Sequence, residues 1–192
     1  MAFAPAYPIE TERLLLRPYG PDDFDALLAI ESSADVHRYL YSEPRGPDEV
    51  RAILERKMGE TALADEGDTI AVAVCVRATG AMAGGCILHW VSREHGLGEI
   101  GFVLHPGHHG HGYAAEGARP LLEFGFAEVG LHRIIGRLEA RNTASARVLE
   151  KLGMRREALL IDNEWVKGEW QSELDYAMLD REWRALRADG RV

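Results

Sequence analysis

The amino-acid sequence predicts an α+β fold of order βααβββαβαββ, a mixed, mostly antiparallel sheet with helices on both faces. Three observations carry the prediction. Two segments of helical period come first. A long stretch with strand character and two turn signals follows at residues 68–106. One strand–helix–strand crossover then spans residues 98–140, which requires a parallel, right-handed connection.

In order along the chain, TERLLLRPYG (11–20) is a short apolar run ended by Pro and Gly, and so a strand. PDDFDALLAIESS (21–33) opens with Pro and two acids, which suit a helix N-terminus, and places Phe24, Leu27, Leu28 and Glu31 at helical spacing. Residues 46–64 read as a second helix with the same kind of start. Residues 68–106 read as three strands, with turns at 78–80 and 96–98. In YAAEGARPLLEFGFAEVG (113–130), Ala114, Ala118, Leu121, Leu122, Gly125, Phe126 and Val129 share one helical face; Pro120 is expected to bend the helix or mark its first turns. HRIIGRLEA is a strand. NTASARVLEKLG is a helix, with Asn142 as N-cap and Gly153 as C-cap. MRREALLID and WQSELDYAMLD form a closing strand pair joined by NEWVKG, and a short helix ends the chain.

The 192 residues are enough for one domain with a sizeable core, and neither linker nor repeat divides them, so a single domain is expected over 1–192. No apolar run approaches the roughly 20 residues of a bilayer span, and the N-terminus lacks the pattern of a secretory signal. A cytoplasmic protein without membrane contact is the expectation. The net charge of −9 argues against nucleic acid as the main partner and is compatible with cationic acceptors such as amines. Cys75 and Cys86, the two cysteines, lie in apolar runs and read as buried, inert thiols.

The stretch LHPGHHGHGYAAEG (104–117) joins a strand to a helix. A glycine-rich turn feeding a helix N-terminus presents backbone N–H groups and the positive end of the helix dipole, which suits a phosphate. Gly110 and Gly112 let the backbone approach such a ligand without a Cβ. His105, His108, His109 and His111 raise the alternative of a metal site. Zinc ligands usually come from separated pairs, and adjacent His108 and His109 cannot easily share one ion, so no metal is expected. A solvated loop that happens to be rich in histidine is the plainer reading. Partly protonated histidines would also offset the acidic surface near a polyphosphate.

HHGHGYAAEG resembles the acyl-CoA pyrophosphate loop of the GNAT superfamily of N-acetyltransferases. That loop runs Gln/Arg-x-x-Gly-x-Gly/Ala, and it reads here His109-x-x-Gly112-x-Ala114, with His in place of Gln or Arg. Residues 9–30, 98–106 and 142–158 resemble, in order, the opening strand and helix, the central strand, and the penultimate helix and strand of one branch, the acetyltransferases of ribosomal-protein N-terminal amines. The resemblance implies that acyl-CoA, as acetyl-CoA, lies between two splayed parallel strands at 99–105 and 132–140. Its pantetheine would run along Phe102, Val103 and Leu104, and its pyrophosphate would lie on the loop His109, Gly110, His111, Gly112, Tyr113 and Ala114. A backbone N–H of Val103 or Leu104 would face the thioester oxygen.

The implied reaction is direct attack of a neutral amine on the thioester. Glu99 is the first choice of base, with Glu173 and Asp175 behind it; a surface carboxylate is the competing reading of Glu99. Many family members carry a tyrosine seven positions after the helix-opening Asn, but Leu149 stands there. The resembled branch instead carries Ser three positions after that Asn, so the resemblance implies Ser145 as the partner of the leaving thiolate and Asn142 as a ligand of the pantetheine amide, although a capping pair at the helix start explains Asn142 equally well. Tyr113 is a weaker choice of acid. His37, Tyr39, Tyr41, Trp90, Trp165 and Trp170 are expected to line the acceptor pocket, with NEWVKG as a mobile loop over it. The acceptor would be a small-molecule or peptide amine. A homodimer through the last strands follows by analogy. The rival function is an acyl-CoA-binding sensor that has lost catalysis.

Overall fold

The computed structural model describes residues 2–190; Met1, Arg191 and Val192 lie outside the described residues. The elements are β1 (Ile9–Glu10), β2 (Leu14–Arg17), α1 (Phe24–Glu31), α2 (Ala34–His37), α3 (Pro47–Gly59), β3 (Thr69–Val76), β4 (Met82–Ser92), β5 (Leu97–Leu104), α4 (Tyr113–Phe124), β6 (Arg133–Glu139), α5 (Thr143–Lys151), β7 (Arg155–Val166), β8 (Glu169–Leu179) and α6 (Asp180–Ala188). The eight strands form one sheet in the order β1-β2-β3-β4-β5-β6-β8-β7. Every neighbouring pair is antiparallel except β5 and β6.

β3 shows why its sequence, TIAVAVCV, is apolar at nearly every position. Ile70, Val72, Val74 and Val76 enter the core that also holds α4 and α5, while Ala71, Ala73 and Cys75 enter a second core under α1 and α3. A strand covered on both faces loses the polar alternation of a half-exposed one. Cys75 and Cys86 are buried, one on each side of the sheet.

The parallel pair positions the site. β5 and β6 are in register only at Leu97↔Arg133, Gly98↔Ile134 and Glu99↔Ile135. Beyond Glu99 the strands part. The edge of β5 from Ile100 to Leu104 then faces a gap, whereas β6 continues to pair with β8 as far as Glu139.

Four expectations are corrected. The helix predicted over 46–64 ends at Gly59, and the chain instead makes an isolated bridge between Leu63 and Phe3. Pro120 occupies the eighth position of α4, beyond its first turns. Its missing N–H leaves the Glu116 carbonyl without the usual donor, yet the helix runs on and closes with a five-residue π turn, Gly125–Val129. NEWVKG is not a loop: β7 extends to Val166 and only Lys167 and Gly168 turn, at φ 52° and 80°. Both are left-handed, as a tight two-residue hairpin requires. Finally, β1 and α2 are elements too short for periodicity to reveal.

Candidate active site

A cavity of about 380 Å³ runs through the gap between β5 and β6. At one end it is bounded by Asn142, Ser145 and Leu149 of α5 and by Gly136 of β6. At the other end it reaches Tyr19, Leu27, Ile30 and Lys57 under α1 and α3. Glu99, Phe102 and Val103 form its wall along β5, and at its mouth a second hollow, lined by Tyr41, Glu99, Arg137, Glu164 and Glu173, shares Tyr41, Glu99 and Arg137 with it.

The loop before α4 has the geometry of an anion cradle. Gly110 and Gly112 sit at φ 80° and 81°, a conformation that costs a side-chain-bearing residue about 1–2 kcal/mol. The N–H groups of Gly110, His111 and Gly112 have no protein acceptor among the described residues, and α4 begins at Tyr113 with its first amides free. Successive free amides at a helix start form a concavity suited to phosphate.

His109 does not face that cradle with a free ring. Its Nε2 lies 3.0 Å from the Leu104 carbonyl, and His111 Nδ1 lies 2.9 Å from the His109 carbonyl. Both contacts make these nitrogens donors, so the histidines staple the loop to the end of β5. Burial, with the neighbouring histidines His105, His111 and His109 behind it, holds His108 below the usual imidazole range. Among the described residues, no group of three or more His, Cys, Asp or Glu could hold a metal ion.

A residue that sequence reasoning missed braces the same loop. Arg13, just before β2, donates Nη1 to the His111 carbonyl at 3.0 Å and Nε to Glu116 at 2.8 Å. Its guanidinium lies 5.1 Å from the centre of the Tyr113 ring. Burial alone would raise the Glu116 carboxyl, but hydrogen bonds from Thr11 and from Arg13 outweigh it and hold that group low. About a hundred residues separate Arg13 from Glu116, so no local pattern could signal the pair. Tyr113 stacks on His111 at 5.3 Å and is not among the residues that line the cavity.

On β5 the side chains alternate. Ile100 and Leu104 are buried on the α4 side, while Glu99, Gly101 and Val103 face the acceptor side. Leu104 therefore contributes backbone and not side chain. His105 N–H donates to the Ala83 carbonyl of β4, at 2.8 Å. The alternation of an antiparallel pair then turns the N–H groups of Phe102 and Leu104 into the gap and that of Val103 away from it. Of the two predicted oxyanion donors, only Leu104 has the right orientation, and Phe102 joins it.

Asn142 caps α5: its Oδ1 accepts the Ser145 N–H at 3.1 Å. The capping role is thus real. Asn142 and Ser145 also line the cavity. Leu149 is buried against Gly136, where a Cβ would lie 2.8 Å from its methyl.

At the mouth, Glu99 accepts from Arg137 Nη2 at 2.9 Å and from Nε at 3.3 Å. Glu173 accepts from the Tyr41 hydroxyl at 2.8 Å. Burial pushes the Glu173 carboxyl above the usual range, aided by Asp175 and Glu164 and opposed by Tyr41 and Arg137. Asp175 has one buried oxygen without a partner. Of the six aromatic pocket candidates, Tyr39 and Tyr41 line the cavity. His37 is buried, with Nδ1 against Ser42. Trp90 is a core residue packed on Phe3. Trp165 and Trp170 pack edge to face, exposed at the β7–β8 turn.

A splayed parallel pair with a glycine cradle at the next helix defines an acyl-CoA-dependent acetyltransferase. Residues 13–155 match the family described as the Acetyltransferase (GNAT) domain, and the chain belongs to that family. It is 33% identical over 175 residues to an uncharacterized N-acetyltransferase, YnaD, of Bacillus subtilis (strain 168), covering 91% of this chain and 98% of the other. It superimposes on the crystal structure of a GNAT-family acetyltransferase from Bacillus anthracis with a TM-score of 0.81 and 32% identity, over 91% and 99% of the two chains. A spermidine N-acetyltransferase from Vibrio cholerae, in complex with CoA and spermine, shares the fold at 19% identity, with a TM-score of 0.76 over 91% and 99%. Acetyl-CoA is the cosubstrate, and the free amides of 110–112 and the open edge of β5 fit its phosphates and its pantetheine arm.

Proposed function

We propose that this protein moves the acetyl group of acetyl-CoA directly to a primary amine, of a small molecule or of a peptide N-terminus, with both substrates held together. One observation carries the reading. The cavity lined by Asn142, Ser145 and the open edge of β5 shares Tyr41, Glu99 and Arg137 with the hollow at its mouth, which Glu164 and Glu173 also line. The pantetheine arm adds to β5 as an extra strand would, with the pyrophosphate on Gly110, His111 and Gly112. The N–H of Phe102 or Leu104 stabilises the oxyanion; one well-aimed donor is worth about 3–4 kcal/mol. Ser145 serves the departing thiolate.

A protonated amine arrives at the acidic mouth and must lose its proton before attack. Glu173 is better placed than Glu99 to take it. The Glu99 carboxylate is committed to Arg137, whereas Glu173 faces the same mouth with a raised pKa, and a base closer to neutrality is the more effective one. Glu99 and Arg137 then position the amine. The acidic mouth suits cationic amines in general, the class to which the spermidine of the Vibrio cholerae enzyme belongs.

The test is acetyl transfer to a mixed panel of N-terminal peptides, polyamines, free amino acids and aminoglycosides, read by mass spectrometry of the acceptors. One labelled class supports the reading. A protein that binds acetyl-CoA and labels none would overturn it.

A further inference from the structure

The far end of the cavity differs in charge from its mouth. Lys57, on the last turn of α3, lines that end together with Tyr19, Tyr39 and Glu31. Its Nζ lies 5.2 Å from the centre of the Tyr19 ring and donates no hydrogen bond to, and forms no ion pair with, any described residue. The two acids nearest to it are already engaged. Glu31 pairs with Arg45 and faces His37 at 3.6 Å, and Glu60 pairs with Arg56. These pairs cancel, so one positive charge is left over, and it is Lys57. Burial holds its ammonium below the usual lysine range, as expected for a cation without an anion. At the mouth the balance is reversed: three acids, Glu99, Glu164 and Glu173, line it with one cation, Arg137. The cavity is therefore polarised, with an acidic end for an amine and a cationic end at Lys57.

We propose that Lys57 is a carboxylate subsite: the molecule that fills this end of the cavity carries a carboxylate that pairs with the Lys57 ammonium. The inference rests on the acetyl-transfer reading and deepens it. An ammonium partly removed from water is costly until an anion joins it, and Lys57 sits over the Tyr19 ring at the cavity wall. The carboxylate has two possible sources. It belongs to the acceptor, making it a zwitterion such as an amino acid, or it is the terminal carboxylate of a dicarboxylic acyl group on CoA. A purely cationic polyamine would instead bring like charge to Lys57.

The experiment uses the full chain and two sets of matched pairs. In the acceptor arm, initial rates with acetyl-CoA compare free amino acids with their carboxamides. In the acyl arm, succinyl-CoA is compared with butyryl-CoA on whichever amine reacts fastest. Wild type is expected to prefer the carboxylate member of one arm by about 10-fold or more, the range of a hydrogen bond to a charged group, and the arm that responds names the source. Lys57→Met and Lys57→Gln should bring that ratio close to one. CoA affinity, measured by calorimetry, reports whether each variant is folded. Equal rates within the pairs of both arms, or a preference that survives in a folded Lys57→Met, would overturn the subsite while leaving acetyl transfer standing. Loss of CoA binding by wild type, or transfer to no amine, would overturn both.

Discussion

Gly112→Glu probes the cradle directly. Gly112 sits at φ 81°, and a Cβ built there meets nothing closer than Arg13 Nη2, at 3.6 Å. A side chain thus fits in space but not in backbone conformation, which costs the fold about 1–2 kcal/mol. That strain is present with or without ligand, so by itself it leaves CoA affinity little changed. The charge acts differently. A carboxylate about 4 Å from a phosphate, at an effective dielectric constant of about 20, is opposed by about 4 kcal/mol. Arg13 would offset part of this, although it is already committed to Glu116. About half of the repulsion should survive, about 2 kcal/mol, or about 30-fold in Kd. Calorimetric titration with CoA measures it, with Gly112→Ala as the control for strain and thermal unfolding as the control for folding. The expected order is wild type close to Ala, both well above Glu, with the gap narrowing at about 1 M salt as screening shortens to about 3 Å. Equal affinities for Ala and Glu would place the pyrophosphate elsewhere.

Ser145→Ala should lower kcat about 10-fold or more with the KM for acetyl-CoA nearly unchanged; an unchanged kcat at saturation would leave Ser145 with only its place in the α5 cap. The acid limb of the pH–rate profile should follow Glu173, which must be ionised to take a proton. Activity then rises with pH through its raised pKa. Tyr41→Phe removes a hydrogen bond that lowers that pKa, and so should move the limb to higher pH. Glu173→Gln should remove the limb, whereas Glu99→Gln should keep it while raising the KM for the amine. The opposite pattern would return the base to Glu99. Arg13→Ala should raise the KM for acetyl-CoA about 5-fold with kcat within about 2-fold, as expected for loss of uniform binding; equal kinetics would show that the loop holds its shape without the brace.

The sequence by itself determined the alternation of elements, because binary pattern and period survive without knowledge of neighbours. It marked 104–117 as the chemical centre, because left-handed turns before a helix demand glycine. It marked Asn142 as a helix N-cap, and the family resemblance singled out Ser145; both residues line the cavity. It misjudged whatever depends on which surface meets which. Trp90 and His37 read as pocket residues but are buried in packing. NEWVKG read as a loop, yet all but its last two residues belong to a strand paired with β8. The family resemblance placed an opening between the strands at 99–105 and 132–140, but the point where they part was decided by tertiary structure, because β6 keeps its pairing with β8 after β5 leaves it at Glu99. Tertiary structure also decided the balance of charge. Arg13 meets Glu116, Tyr41 meets Glu173, and Arg137 meets Glu99, across separations of 103, 132 and 38 residues. Lys57 forms no ion pair with any described residue, because the acids near it, Glu31 and Glu60, pair with Arg45 and Arg56. Ion pairing depends on distances of a few ångströms between side chains, and only the folded chain sets them.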